Sequence, residues 1–193
     1  MIGRLTGKLV DKQPPFLVIE VNGLGYEVEA PMSTVFQLGD RGGQVTVHTH
    51  LVVRDDAHLL YAFATLQERQ LFRALIRVNG VGPKLALVIL SGMGASEFWR
   101  AVRENDTAQL IRLPGVGKKT AERLVIEMRD RADAEPLSVG APARPGSALD
   151  EARSALISLG YKPAEAQKFT DAVHTEDMEA EQIIREALRR AAR

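Results

Sequence analysis

The chain of 193 residues contains no cysteine. This excludes disulfides, thiolate metal sites and a cysteine nucleophile, and it fits a reducing compartment. Long hydrophobic runs are also missing. The longest helical apolar stretch, Leu85-Ala86-Leu87-Val88-Ile89-Leu90, falls far short of the roughly 20 residues that span a bilayer. No secretory leader is visible, because Met1-Ile2-Gly3-Arg4 runs straight into a strand-like pattern. A soluble, cytoplasmic protein is expected.

Catalytic constellations are equally scarce. No Ser-His-Asp or Cys-His arrangement can be assembled. His48 and His50 stand two apart on a predicted strand and face one way, but no third ligand has metal-site spacing. His58 and His174 are isolated, and Glu27 and Glu29 read as solvated residues on one strand face. There is no Gly-x-x-x-x-Gly-Lys-Ser/Thr phosphate loop. No metal, no cofactor and no ATP site are expected.

Net charge is absent as well: 25 Lys and Arg balance 25 Asp and Glu. The balance is not uniform. Residues 1–64 hold five basic against seven acidic residues, 65–133 twelve against eight, and 134–193 eight against ten. The net charges are therefore −2, +4 and −2, and the positive charge is gathered in the middle.

What is present divides into segments of different period. Residues 1–64 read as strands: Ile2–Val10, Phe16–Val21 ending at the turn signal Asn22-Gly23, Gly25–Ala30 with alternating apolar and acidic residues, Gln44–Val53, and Leu59–Phe63. About five strands in so short a stretch match an all-β barrel of OB-fold size. Residues 65–133 switch to helical period, with Leu66–Arg77 placing Leu71, Leu75 and Val78 on one face. Lys84–Leu90, Ser96–Glu104 and Lys118–Arg131 continue the helical pattern, with Ser96 and Asp106 as N-caps. Phe98-Trp99 is expected to pack into this helical core. Residues 134–147, rich in Pro, Gly and Ala, read as a flexible linker. Residues 148–193 predict three helices: Leu149–Leu159 capped by Ser147 and ended by Gly160, a second with Pro163 at its first position, and Glu179–Ala192.

The middle segment contains an internal repeat. Val78-Asn79-Gly80-Val81-Gly82-Pro83-Lys84-Leu85-Ala86 aligns with Leu113-Pro114-Gly115-Val116-Gly117-Lys118-Lys119-Thr120-Ala121 at a distance of 35 residues. Each copy reads as helix, Gly-Val-Gly turn, helix, and so resembles a helix-hairpin-helix motif. A turn this short needs positive φ or close backbone approach, which glycine permits. The central valine is the apolar plug. The turn N–H groups and the start of the second helix form an anion site. The expected phosphate-contact set is Asn79, Gly80, Val81, Gly82 and Lys84 in the first copy, with Gly115, Val116, Gly117, Lys118, Lys119, Thr120 and Arg123 in the second. Such contacts grip a nucleic-acid backbone without reading bases. One copy alone is equally well a plain interhelix turn; two copies with following lysines in the only basic segment favour DNA. A nuclease or glycosylase, or an interaction protein whose glycines merely shape helices, are the competing classes.

These strings also resemble the RuvA family, the junction-binding subunits of bacterial branch-migration machinery. Met1–Leu5, Asn79–Leu87, Leu113–Leu124 and Leu159-Gly160-Tyr161-Lys162 carry the likeness. The resemblance implies an OB-fold barrel at 1–64 for tetramerisation, a tandem helix-hairpin-helix domain at 65–133, and a small three-helix, UBA-like domain at 148–193. It implies a homotetramer, single or paired, that holds four-way (Holliday) junction DNA open and nearly planar for recombination and repair. It implies as partners the RuvB ATPase motor and the RuvC resolvase, and a subunit that is itself not catalytic. Asp55 and Asp56, which read as turn residues by themselves, take from the resemblance the role of an acidic pin. Leu156, Leu159, Tyr161 and Leu188 become candidates for the motor contact.

Overall fold

The computed structural model describes residues 1–134, 147–173 and 178–191, and divides into two compact units, Met1–Leu137 and Ser138–Arg193. The expected linker at 134–147, apart from its two end residues, and His174 lie outside the described residues.

The first unit begins with strands β1 (Arg4–Gln13), β2 (Phe16–Val21), β3 (Leu24–Glu29), β4 (Gln44–Val53) and β5 (His58–Phe63), closed into a barrel in the order β1-β2-β3-β5-β4. Alternation does the work. Leu5, Leu9, Leu17, Ile19, Val28, Val45, Val47, Leu60 and Ala62 all point into one core, because side chains two apart share a face. Asn22 and Gly23 both have positive φ, 52° and 84°, the geometry of a type I′ hairpin turn. At Gly7 a Cβ would stand 2.1 Å from the Glu20 carbonyl oxygen, so only glycine lets β1 cross β2 this closely.

A short helix, α1 (Met32–Gln37), joins β3 to β4. Sequence reading passes over it, since six residues without a side-chain cap hold too little periodicity to register.

Helices α2 (Leu66–Leu75), α3 (Pro83–Gly92), α4 (Ala95–Arg103), α5 (Thr107–Ile111) and α6 (Lys118–Ala134) complete the unit. The expected face of α2 is buried: Leu71, Phe72 and Leu75 are fully enclosed. Phe98 and Trp99 pack inside, as expected. Asp106 caps α5 by accepting from the Gln109 N–H at 3.0 Å. Ser96 does not cap α4. Gly94 does, its carbonyl taking the Phe98 N–H at 2.9 Å; the helix starts at Ala95, so Ser96 lies inside its first turn, and Phe98, Trp99, Ala101 and Val102 are buried.

Barrel and helices share a boundary that is packed, not linked. Tyr61 and Phe63 of β5 belong to the helical core, each with its ring centroid 4.9 Å from Phe72 of α2. Beside them, the buried Glu68 carboxylate accepts from Ser33 Oγ, from Thr34 Oγ1 at 3.0 Å, and from the N–H groups of Ala64 and Thr65 at 3.1 and 3.3 Å. Glu68 is thus the third helical residue of a capping box on Thr65 and also a clamp on α1.

The second unit holds α7 (Ala148–Ser158), α8 (Pro163–Asp171) and α9 (Ala180–Ala191) around Leu156, Ala166 and Ala187. Ser147 caps α7, accepting from Asp150 N–H at 3.3 Å. Gly160, with φ +102°, ends it. Gly160 N–H reaches the Ile157 carbonyl at 3.0 Å and Tyr161 N–H the Leu156 carbonyl at 3.2 Å, the paired bonds of a Schellman motif. Pro163 occupies the first turn of α8.

Candidate nucleic-acid interface

The 35-residue repeat folds the same way twice. In the first turn, Val78 N–H bonds to Leu75 O and Val81 N–H to Val78 O, both at 3.0 Å; Gly80 has φ +84°. In the second, Leu113 N–H bonds to Leu110 O and Val116 N–H to Leu113 O, both at 3.1 Å; Gly115 has φ +78°. Gly82 and Gly117 then open the following helices, accepting from Ala86 N–H at 3.0 Å and Ala121 N–H at 2.9 Å. Val81 and Val116 are both 4% exposed. Each plugs its turn into the core beneath.

This geometry sorts the expected contact residues. Val81 and Val116 are counted in the sequence-based phosphate set, yet their side chains are buried and their N–H groups already bonded within the turn. They hold the site rather than line it. The N–H groups left over belong to the start of the second helices, where the first four donors have no intrahelical acceptor. In the first hairpin these are Gly82, Lys84 and Leu85, since Pro83 has no N–H. In the second they are Gly117, Lys118, Lys119 and Thr120. Lys84, Lys118 and Lys119 are exposed, and among the described residues none of them forms an ion pair. The second hairpin therefore brings one more donor and one more lysine to its helix N-terminus.

Arg123 has a further task. Its Nη1 donates to the Asn79 carbonyl at 2.9 Å, and its Nε lies 3.8 Å from Glu127 Oε1. A Cβ at Gly80 would meet the same Nη1 at 3.4 Å, and a Cβ at Gly115 would meet Leu85 Cδ1 at 3.3 Å. Each turn is thus packed against a side chain of the other hairpin. The two anion sites are held as a pair.

Asp55 and Asp56 sit at the exposed tip between β4 and β5. The tip is closed by backbone alone, Arg54 N–H to Ala57 O at 2.8 Å. Neither carboxylate has a hydrogen-bond or ion-pair partner among the described residues, so neither shapes the turn. In the second unit, Leu156 is wholly buried, which corrects its assignment as a partner contact: it is the residue on which the three helices close. Leu159 is 62% exposed beside the exposed Ile157. Tyr161 and Leu188 are half-buried against the core, Tyr161 edge-on to Phe169 at 5.9 Å.

Among the described residues no group of three His, Asp or Glu could hold a metal, and no single helix is long and apolar enough to cross a membrane. Sequence reading passed over Arg69, Arg73 and Arg77, whose spacing of four residues was the available signal.

Known proteins share this arrangement along the chain. A family model described as the RuvA N terminal domain matches residues 1–62, a SAM-like helix-hairpin-helix tandem matches 72–130, and the RuvA C-terminal domain matches 147–192. A Thioalkalivibrio sulfidiphilus protein named Holliday junction branch migration complex subunit RuvA is 57% identical, with 98% of each chain covered. The Nitrosococcus oceani protein of that name is 58% identical, over 98% of this chain and 99% of its own. The Pseudomonas aeruginosa protein is 54% identical, over 98% of both. With three matching domains in order and relatives similar from end to end, this chain belongs to the RuvA family.

Proposed function

We propose that this chain is a non-catalytic, cytoplasmic DNA-binding subunit that recognises four-way junctions and positions an ATPase motor on them. One observation carries the reading: two turns with the same hydrogen-bond pattern, each ending in a helix N-terminus with free N–H groups and with one lysine or two that form no ion pair among the described residues, fixed to one another by Arg123. Such a pair binds two stretches of phosphate backbone at a set separation and reads no base. Asn79, Gly80, Gly82 and Lys84 take one stretch; Gly115, Gly117, Lys118, Lys119 and Thr120 take the other. The names of the relatives, which place them in a Holliday junction branch migration complex, support the junction as the substrate.

Grip on an arm does not by itself select a junction. For that, four copies assemble through the barrel domain at 1–64, with the tandem hairpins at 65–133 each holding one arm of a square-planar junction. The Asp55-Asp56 tips meet at the crossover, where eight carboxylates repel continuous duplex and admit separated strands. The domain at 148–193, beyond the linker at 134–147, recruits the RuvB motor through the apolar surface around Leu159, and a RuvC resolvase acts on the same held junction. A second tetramer closes the other face.

The experiment is a titration of labelled four-way junction and of plain duplex at two salt concentrations. Tight, salt-dependent binding that prefers the junction is expected, with preference reduced in Asp55→Asn/Asp56→Asn because duplex binding tightens. Salt-insensitive or absent binding would instead make the glycine turns mere helix connectors.

A further inference from the structure

Helix α2 and the turn that follows it carry three arginines that the hairpins do not use. Arg69 and Arg73 stand one helical turn apart on α2, about 6 Å along its axis, and Arg77 follows in the turn beyond the Ile76 C-cap. The row begins beside β1 and β4, where Arg69 Nη1 donates to the Gly3 carbonyl at 2.8 Å and Arg4 stands directly across from His48 in the strand register. It ends at Arg77, two residues before Asn79 of the first hairpin turn.

These guanidinium groups have no counter-charge among the described residues. Among the described residues, no carboxylate lies within 4.0 Å of Arg4, Arg69, Arg73 or Arg77. The only acidic residue on α2, Glu68, is buried on its other side and occupied by Ser33 and Thr34. The Arg69 Nε is buried with no partner. Arg73 donates its Nε to His50 Nδ1 at 3.2 Å, so that nitrogen is unprotonated. Burial and then the neighbouring arginines hold both His48 and His50 below the ordinary imidazole value. Like charges one helical turn apart repel and weaken the helix that bears them. A fold that keeps them together with no neutralising carboxylate among the described residues, Arg69 and Arg73 half-buried and Arg4 and Arg77 exposed, has left room for an anion.

We propose that Arg4, Arg69, Arg73 and Arg77 form a second phosphodiester-binding track, which takes the DNA backbone from the first hairpin along α2 towards the barrel. The proposal rests on the hairpins binding DNA. The guanidinium fork matches phosphate oxygens, and several guanidinium groups spread from β1 along α2 to the turn beyond it suit a run of successive phosphates better than a single carboxylate. Continuity with Asn79 places that run on the same duplex arm.

The test uses the full chain and a labelled four-way junction, with binding followed from low to high salt. Arg73→Gln/Arg77→Gln should lower the slope of log affinity against log salt by about 1.8 per bound chain, about 0.9 for each lost contact. Arg73→Lys/Arg77→Lys should retain most of the slope. The side chains of Arg4 and Arg77 are exposed and make no hydrogen bond to described residues, so Arg4→Gln/Arg77→Gln leaves the fold intact and should also lower the slope by about 1.8. An unchanged slope in that variant overturns the proposal. So does a drop in the assembly mass of the DNA-free variant, which would make the row a contact between copies. If Lys118→Ala/Lys119→Ala also leaves the slope unchanged, the hairpin reading itself fails; if only the hairpin variant responds, this track alone is wrong.

Discussion

Arg123 Nη1, on α6, donates to the Asn79 carbonyl at 2.9 Å, so a side chain from the second hairpin closes the turn of the first. Two motifs that are separate in sequence are thereby one rigid device. Their spacing, which decides where two phosphates can sit, depends on this contact and on the Leu85–Gly115 approach.

Removing the contact should loosen the device without dismantling it. Arg123→Ala is expected to cost about 1 kcal/mol of stability and to weaken junction binding more than stability. Thermal unfolding and a junction titration on the same sample check this. Amide exchange at Val78 and Val81, whose N–H groups close the first turn, should rise in the variant, and unchanged protection there would show that the turn stands alone.

The glycines at the two turns should respond to substitution for two reasons at once. Gly80→Ala and Gly115→Ala each place a side chain at positive φ, at about 1–2 kcal/mol, and each added Cβ meets a neighbour, Arg123 or Leu85. Both should lower the melting temperature and the affinity for junction DNA. Gly82→Ala has open space and an extended φ of −87°, so its folding cost should be smaller than either.

The hairpins should not contribute equally. The second presents Lys118 and Lys119 with an additional N–H, whereas Pro83 removes a donor from the first. Lys118→Ala/Lys119→Ala should reduce the salt slope by about 1.8 per chain and Lys84→Ala by about 0.9. Equal losses would mean that the turns, rather than their helix N-termini, meet the phosphates.

Glu68 joins α1 of the barrel to α2. Glu68→Ala takes the acceptor from the Ser33 and Thr34 hydroxyls and from the Thr65 N–H, while the Ala64 N–H keeps Thr34 Oγ1 at 2.9 Å, and should cost about 3 kcal/mol. Glu68→Gln keeps the acceptor and should cost less. Urea unfolding monitored through Trp99, which reports the helical core, and through the barrel should give coincident midpoints in the native chain. Separation of the two in Glu68→Ala is the expected signature of an uncoupled boundary.

Acid should destabilise the fold before its carboxylates titrate. His48 and His50 have lowered pKa values in the folded state, by burial first and by Arg69 and Arg4 or Arg73, Arg69 and Arg77 next. The unfolded chain therefore binds more protons below about pH 6.5. Stability is full above that pH and is lost as pH falls from there towards the folded values. The urea midpoint should drop between pH 7.5 and 5.5, and the drop should shrink in His48→Gln/His50→Gln. An identical drop in the variant would assign it elsewhere.

Much of this was legible in the residues. Period two placed Leu5, Leu9, Leu17 and Ile19 in a barrel, and Asn22-Gly23 placed a hairpin, because both signals are local. The 35-residue repeat and its glycines marked the two turns for the same reason, as did Gly160 and Pro163 the ends of α7 and α8. Ser96 reads as a cap because it carries the nearest hydroxyl, whereas α4 is capped by Gly94, which has no side chain to signal it. α1 escapes the reading because six residues without a side-chain cap hold too little periodicity.

The sequence by itself determined the elements and the chemistry of each turn: glycine where φ is positive, valine beneath, lysine at the helix start. Those choices depend on backbone sterics and on neighbours a few residues away. Tertiary structure alone decided which residues face out together. It buried Leu156 and exposed Leu159 one turn later, set Arg123 of one hairpin on Asn79 of the other, and left Arg69 and Arg73 of α2 without a carboxylate among the described residues. Contacts across 44 residues, as between Asn79 and Arg123, leave no periodic trace in the chain, since they depend on how separate elements pack.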